Sequence, residues 1–155
     1  MKRLIFIAFL AIGNMLFSQN INISVTGNWT RTIAASDISE AGNDYPAAYV
    51  SNLNQTLMTI SPNNNNKLIN VLVSRDNIAW HNNLNLKVKR TANGTNGNTN
   101  ISGGLIFQTI TSVDANFFTC TGTHNFVPLQ YEISGISVVL PVQNYSTTIT
   151  YTVIH

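Results

Sequence analysis

The sequence predicts an all-β fold, an antiparallel β-sandwich of immunoglobulin-like architecture with about eight or nine short strands. Three observations predict it. Several segments alternate apolar and polar residues with period two, clusters of Asn, Gly, Pro and Ser punctuate them, and no segment sustains the 3.6-residue period of an amphipathic helix. A closed β-barrel is the alternative architecture, and the absence of an internal repeat argues against a propeller or solenoid.

The N-terminus reads as a leader. Met1-Lys2-Arg3 precedes an apolar run from Leu4 to Ile12 and a polar boundary at Ser18-Gln19-Asn20, the layout of a secretory signal peptide over residues 1–18. The run is shorter than the about 20 residues of a spanning helix and is broken at Gly13-Asn14, so no membrane span is expected after cleavage. A single β-sandwich domain is expected over residues 19–155.

Ile21, Ile23 and Val25 alternate with Asn22, Ser24 and Thr26, giving a first strand that Gly27-Asn28 ends. Trp29 to Ile33 is read as a second short strand. Ala34 to Pro46 holds turn formers, with room for one helical turn capped by Ser36 near Glu40. Tyr49 to Ser61 is strand-like, and Pro62 with Asn63 to Asn66 makes a loop tip. In Leu68 to Ser74 the set Ile69, Val71 and Val73 faces the core. After a turn at Asp76-Asn77, Trp80 reads as buried. Leu84, Leu86 and Val88 then set a buried face against Asn85, Lys87 and Lys89.

Thr91 to Asn100 contains two Asn-Gly pairs and reads as an exposed loop or hairpin end. Leu105 to Val113 and Phe117 to Thr119 read as strands, with the adjacent Phe117 and Phe118 on opposite faces. Phe126 to Ile133 is a strand that Pro128 assigns to an edge or a bulge. Ile136 to Leu140 is read as another. In the terminal strand Tyr145, Thr147, Ile149, Tyr151 and Val153 share one side, and Ser146, Thr148, Thr150 and Thr152 the other.

Charge narrows the partners. Loss of Lys2 and Arg3 with the leader brings eight basic residues to equality with the six acidic ones, and the formal net charge from +2 to zero. A neutral chain so sparsely charged lacks the electrostatic footprint for nucleic acid, and Lys87, Lys89 and Arg90 read as a solvated strand face. An Asn- and Thr-rich surface is also weakly defended against edge-to-edge pairing. The lone Cys120 cannot form an internal disulfide.

Leu140-Pro141, a short polar turn, and Tyr145 to Val153 resemble the final strand of secreted bacterial β-sandwich subunits of the spore-coat and archaic-pilus type. The resemblance covers roughly the last 25 residues, with the rest alike in strand rhythm alone. It implies an extracytoplasmic structural subunit without an active site that polymerises by lending a strand. The chain departs from that pattern in lacking the cysteine pair and in having a complete terminal strand. On physical grounds Ile21, Ile23 and Val25 mark a strand-exchange segment, since they alternate and lie near a chain end. The simpler reading of the same residues is the first strand of the chain's own sandwich.

No motif commits the chain to catalysis: G-x-S-x-G, H-E-x-x-H and phosphate-binding glycine loops are all missing. Cys120 and His124 would meet as a thiol-imidazole pair only across a tight turn, and a structural cysteine is the simpler reading. His81, His124, His155 and Cys120 lack metal-ligand spacing, and Asp37, Glu40 and Asp44 with Asn43 match no EF-hand loop; no cofactor or metal is expected. The expectation is an exported structural or adhesive surface subunit that contacts itself or other envelope proteins. The alternative is a small carbohydrate-binding module in which Trp29, Tyr45 and Tyr49 stack on sugar rings and Asn side chains bind hydroxyls.

Overall fold

A computed structural model describes residues 20–38, 40, 42–95 and 100–155. The expected leader, apart from its polar boundary at Asn20, lies outside the described residues. Ten strands form two antiparallel sheets: β1 (Ile21–Thr26), β2 (Ala48–Val50), β3 (Thr56–Pro62), β4 (Leu68–Arg75), β5 (Asn85–Arg90), β6 (Ile101–Gly103), β7 (Gln108–Thr109), β8 (Ala115–Thr121), β9 (His124–Ser134) and β10 (Ile149–Ile154). One sheet runs β1-β3-β9-β5-β7, with β2 beside the far end of β9, and the other runs β10-β4-β8-β6. Both sheets have free edges, so the fold is a sandwich and not a closed barrel.

Period two explains the core. Met58 and Ile60 of β3, Leu86 and Val88 of β5, and Val127, Leu129 and Tyr131 of β9 bury their side chains against Ile69, Val71 and Val73 of β4 and Phe118 and Cys120 of β8. Each large aliphatic or aromatic side chain so buried contributes about 1.5–3 kcal/mol. The intervening residues, such as Leu57, Asn70 and Lys87, face outward and are at least partly exposed.

Several local readings change. Both Phe117 and Phe118 are buried, with ring centroids 5.1 Å apart in an edge-to-face arrangement. Val71 pairs with Phe118 but Leu72 pairs with Asn116, so Phe117 is the extra residue of a β-bulge, which turns it inward. Pro128 lies in the central strand β9, near a second register shift at which Phe126 adopts φ +54°. The bulge reading of Pro128 holds and the edge reading does not. Arg90 belongs to the core side of β5 and is 2% exposed, contrary to a solvated face.

Trp29 to Ile33 and Ile136 to Leu140 form no strand, Leu105 to Val113 contributes only the two residues of β7, and the terminal strand begins at Ile149. Among the described residues the one helical turn is a 3-10 turn at Ala35–Asp37, in which the Asp37 carboxylate accepts from the Ala34 N–H at 3.2 Å; Ser36 lies inside the turn and not at its cap.

Candidate functional site

A concavity lies at one end of the sandwich, where the β4–β5 loop meets the segment leading into β10. A β-bridge between Ala79 and Ser146 joins the two, with the Ser146 N–H donating to the Ala79 carbonyl at 3.0 Å. Asp76 fixes their register. Its main-chain N–H donates to the Thr148 carbonyl, its carboxylate accepts from the Thr148 N–H at 3.0 Å, and its carbonyl accepts from the Thr147 hydroxyl at 2.9 Å. The Thr148 N–H and the Thr147 and Thr148 side chains hold the Asp76 carboxyl below its ordinary value against a smaller opposing effect of burial.

On one side of this bridge a cleft of about 310 Å³ is lined by Ile78, Trp80, His81, Gln143, Asn144 and Tyr145. On the other, a cleft of about 240 Å³ is lined by Asp76, Ser146, Thr147 and Thr148, and the two share Ile78 and Ala79. Both aromatic walls are held. The Trp80 indole N–H donates to the Leu84 carbonyl at 2.8 Å, and the Arg75 guanidinium lies 5.2 Å from its ring centre. Arg75 is fixed in turn by donating to the Ile110 carbonyl at 3.0 Å. The Tyr145 hydroxyl donates to the Pro141 carbonyl at 2.7 Å, and its ring meets His81 edge to face with centroids 5.9 Å apart.

The loop before Tyr145 is anchored at its other end by Asp44. Its carboxylate accepts from the Ser137 hydroxyl at 2.7 Å and the Val138 N–H at 3.0 Å. Those bonds, the Ser137 hydroxyl foremost, keep the Asp44 carboxyl below its ordinary value. Val138, Val139 and Val142 consequently point outward, as does Ile78, which is 93% exposed. Gly135, at φ +84°, starts the loop so close to the Asn83 carbonyl that a Cβ would lie 1.9 Å from it, so no other residue fits.

The residues expected from sequence to bind sugar lie elsewhere. Trp29 is half-buried and stacks on Tyr131, with centroids 6.4 Å and planes 18° apart. Tyr49 is buried beneath the Arg31 guanidinium, 4.8 Å from its ring centre. Its hydroxyl has no hydrogen-bond partner among the described residues, and burial, reinforced by the Asp37 charge, pushes the phenol up. Tyr45 is half-buried and follows Asp44, whose carboxylate accepts from its N–H at 2.8 Å. One face of Trp29 and one of Tyr49 are occupied, as one face of Trp80 is by Arg75, but neither Trp29 nor Tyr49 lines the two clefts. Ile21, Ile23 and Val25 lie on β1 and pair with Pro62, Ile60 and Met58 of the same chain.

Cys120 is buried in β8 and its thiol is pushed up to about 11 by burial, which keeps it un-ionised at neutral pH. His124 is fully buried, and its two ring nitrogens face the carbonyls of Asn93 and Thr121 at 3.3 and 3.2 Å; neither faces the thiol. Asp37 turns to Arg31, at 3.1 Å, and Asp44 to Ser137. Among the described residues no three His, Cys, Asp or Glu side chains gather as metal ligands would.

Sequence reasoning placed Trp80 in the core, against which the half-buried ring does pack, and gave Tyr145 no binding role. The signal available was that each aromatic abuts an amide-rich turn, Trp80 before His81-Asn82-Asn83 and Tyr145 after Gln143-Asn144. No protein family, curated protein or solved structure matches the chain.

Proposed function

We propose that the protein is an exported structural or adhesive subunit that works through protein contacts, adding copies of itself edge to edge at β1 and β10. The observation that carries this reading is the chemistry of those two edges. Each ends its sheet, each presents six residues, and neither INISVT nor ITYTVI contains a charge or a proline. An edge strand of that length, with its outward N–H and C=O groups unpaired, is a template for another chain unless charge, proline or a bulge blunts it. Backbone bonds supply the affinity and the alternating side chains supply the register.

The leader-like N-terminus and the likeness of the C-terminal stretch to spore-coat and archaic-pilus subunits support an extracytoplasmic setting. Because β1 pairs with its own β3 along its whole length, addition leaves β1 in place and extends the sheet beyond it. The test is the solution mass of residues 19–155 by light scattering, beside a chain without residues 19–26 and one carrying Ser24→Lys and Thr150→Lys. Assembly that rises with concentration and vanishes with the lysines is expected. A strict monomer at high concentration overturns the reading.

A further inference from the structure

The two clefts at the end of the sandwich lie outside the six-residue edges β1 and β10. We infer that the paired clefts on either side of the Ala79–Ser146 bridge form one elongated site for a neutral oligosaccharide, with Trp80 and Tyr145 as its stacking surfaces.

Sugar rings are recognised by rigid aromatic surfaces that meet their C–H faces, together with amide and hydroxyl groups that bond their hydroxyls. The first cleft offers both. Trp80 is immobilised through its N–H and covered on one side by Arg75, and Tyr145 is tethered to Pro141, so neither ring loses much freedom when a ligand arrives. Gln143 and Asn144 lie beside them, exposed and able to donate and accept together.

Charge and length narrow the ligand class. The first cleft has no carboxylate, lysine or arginine in its lining, and the one carboxylate of the second, Asp76, is bonded to Thr147 and Thr148. An anionic ligand finds no lysine or arginine in either lining, and a cationic one meets only a carboxylate whose oxygens already accept from Thr147 and Thr148. The second cleft continues the first through Ile78 and Ala79 and adds the side chains of Ser146, Thr147 and Thr148, which suits a chain of several sugar units better than a single one. The groove is open along its length, as binding within a long polymer requires.

The bridge that divides the groove also fixes its dimensions. Gly135 and the Asp44 anchor hold one rim, and Arg75 holds the other. The site therefore lies between two tied loops on a rigid end of the sandwich.

The test uses residues 19–155 carrying Ser24→Lys and Thr150→Lys, so that its outcome is independent of self-association. Trp29→Phe is added so that Trp80 is the only indole. Cellohexaose, laminarihexaose, chitohexaose and mannohexaose are titrated against Trp80 emission. At least one is expected to give a saturable change that Tyr145→Ala abolishes, Tyr145→Phe preserves, and Gln143→Ala with Asn144→Ala weakens about tenfold. Far-UV circular dichroism checks that each variant keeps its sheet, and the exposed amide pair decides the matter if Tyr145→Ala does not fold. No response to any of the four sugars overturns the inference. So does a response that these substitutions leave unchanged, or one displaced equally by an uncharged Asn/Thr hexapeptide.

Discussion

The two flanks of the sandwich are built on different terms. On one, the sheets end in β6 and β7, of three and two residues, and a buried guanidinium ties β6 to the rest. Arg90 of β5 donates through Nε to the Gly103 carbonyl and through Nη1 to the Asn93 side chain, both at 2.5 Å, and through Nη2 to the Ile101 carbonyl at 3.5 Å. Lys89 lies 4.6 Å from the Phe107 ring centre beside it. On the other flank the sheets end in the six-residue β1 and β10, whose inward residues Ile21, Ile23, Ile149, Tyr151 and Val153 are only partly buried. There the sheets meet through a chain of hydroxyls from Thr56 to Tyr131 at 2.7 Å and from Tyr131 to Tyr151 at 3.1 Å. One flank closes on itself with charge inside, and the other stays long, uncharged and available.

The difference predicts where damage, and the proposed assembly, should fall. Arg90→Ala should cost most, about 3 kcal/mol or more, because it leaves acceptors on β6 and the Asn93 loop without their donor in a buried place. Urea denaturation followed by circular dichroism reads this as a lower midpoint. A loss below about 1 kcal/mol would mean that water replaces the guanidinium and that this flank is less closed than described.

At the open flank the same kind of charge acts on association and not on folding. Ser24 and Thr150 are exposed, so Ser24→Lys and Thr150→Lys should shift stability by no more than about 0.5 kcal/mol. Together they should remove assembly by setting like charges across each new strand pair. The single variants sharpen the comparison. Antiparallel pairing of β10 with its own copy about a two-fold axis closes as a dimer, whereas using β1 as well propagates a filament. Ser24→Lys alone should then leave dimers, and Thr150→Lys alone should leave dimers joined through β1.

A smaller effect lies in the hydroxyl chain that joins the sheets. Burial pushes the phenols of Tyr131 and Tyr151 upward, Tyr151 well above the ordinary value of 10.0. Groups raised in the folded state add stability that is complete below the unfolded phenol value and is lost as pH rises through the folded one. The protein should therefore weaken above about pH 10. Tyr151→Phe should cost about 1 kcal/mol at pH 7 and make the alkaline loss shallower, while Tyr131 keeps Thr56 as a partner. Equal slopes in the two proteins above pH 10 would place the alkaline response elsewhere.

How far the sequence showed this contrast depends on the range of each interaction. The alternation at Ile69, Val71 and Val73, and at Leu86 and Val88, is local, and it placed all five side chains inside. Arg90 falls on the same period as Leu86 and Val88, yet its charge argued for solvent. Its burial depends on the carbonyls of a strand eleven and more residues away, together with the nearby Asn93 side chain. Phe117 turned inward because of a bulge set by the pairing of β8 with β4, which no window of residues around it contains. Ile136 to Leu140 looked like a strand because it is apolar, but the Asp44 carboxylate, more than 90 residues earlier, takes its Ser137 hydroxyl and Val138 N–H and holds it as a loop. The groove was hidden for the same reason, since Trp80 and Tyr145 come to line one cleft through a bridge between segments distant in sequence.

The smallest expected effect concerns how β10 is held in register at its entrance. Asp76 accepts the Thr148 N–H, so its carboxyl is lowered, and a lowered carboxyl contributes stability that is present above the unfolded value of about 4 and is lost as pH falls through the folded one. Protonation should therefore loosen the start of β10 only in acid, below the range in which free carboxyls titrate. The Thr148 amide resonance reports it directly: its shift should titrate with a midpoint under about 4 in the wild type and stay flat in Asp76→Asn. Midpoints of assembly at neutral pH should differ little between the two, because the Asp76 N–H to Thr148 carbonyl bond survives the substitution. A Thr148 amide that titrates at the ordinary carboxyl value would show that Asp76 does not hold the edge. The open flank would then owe its register to the β4 ladder alone.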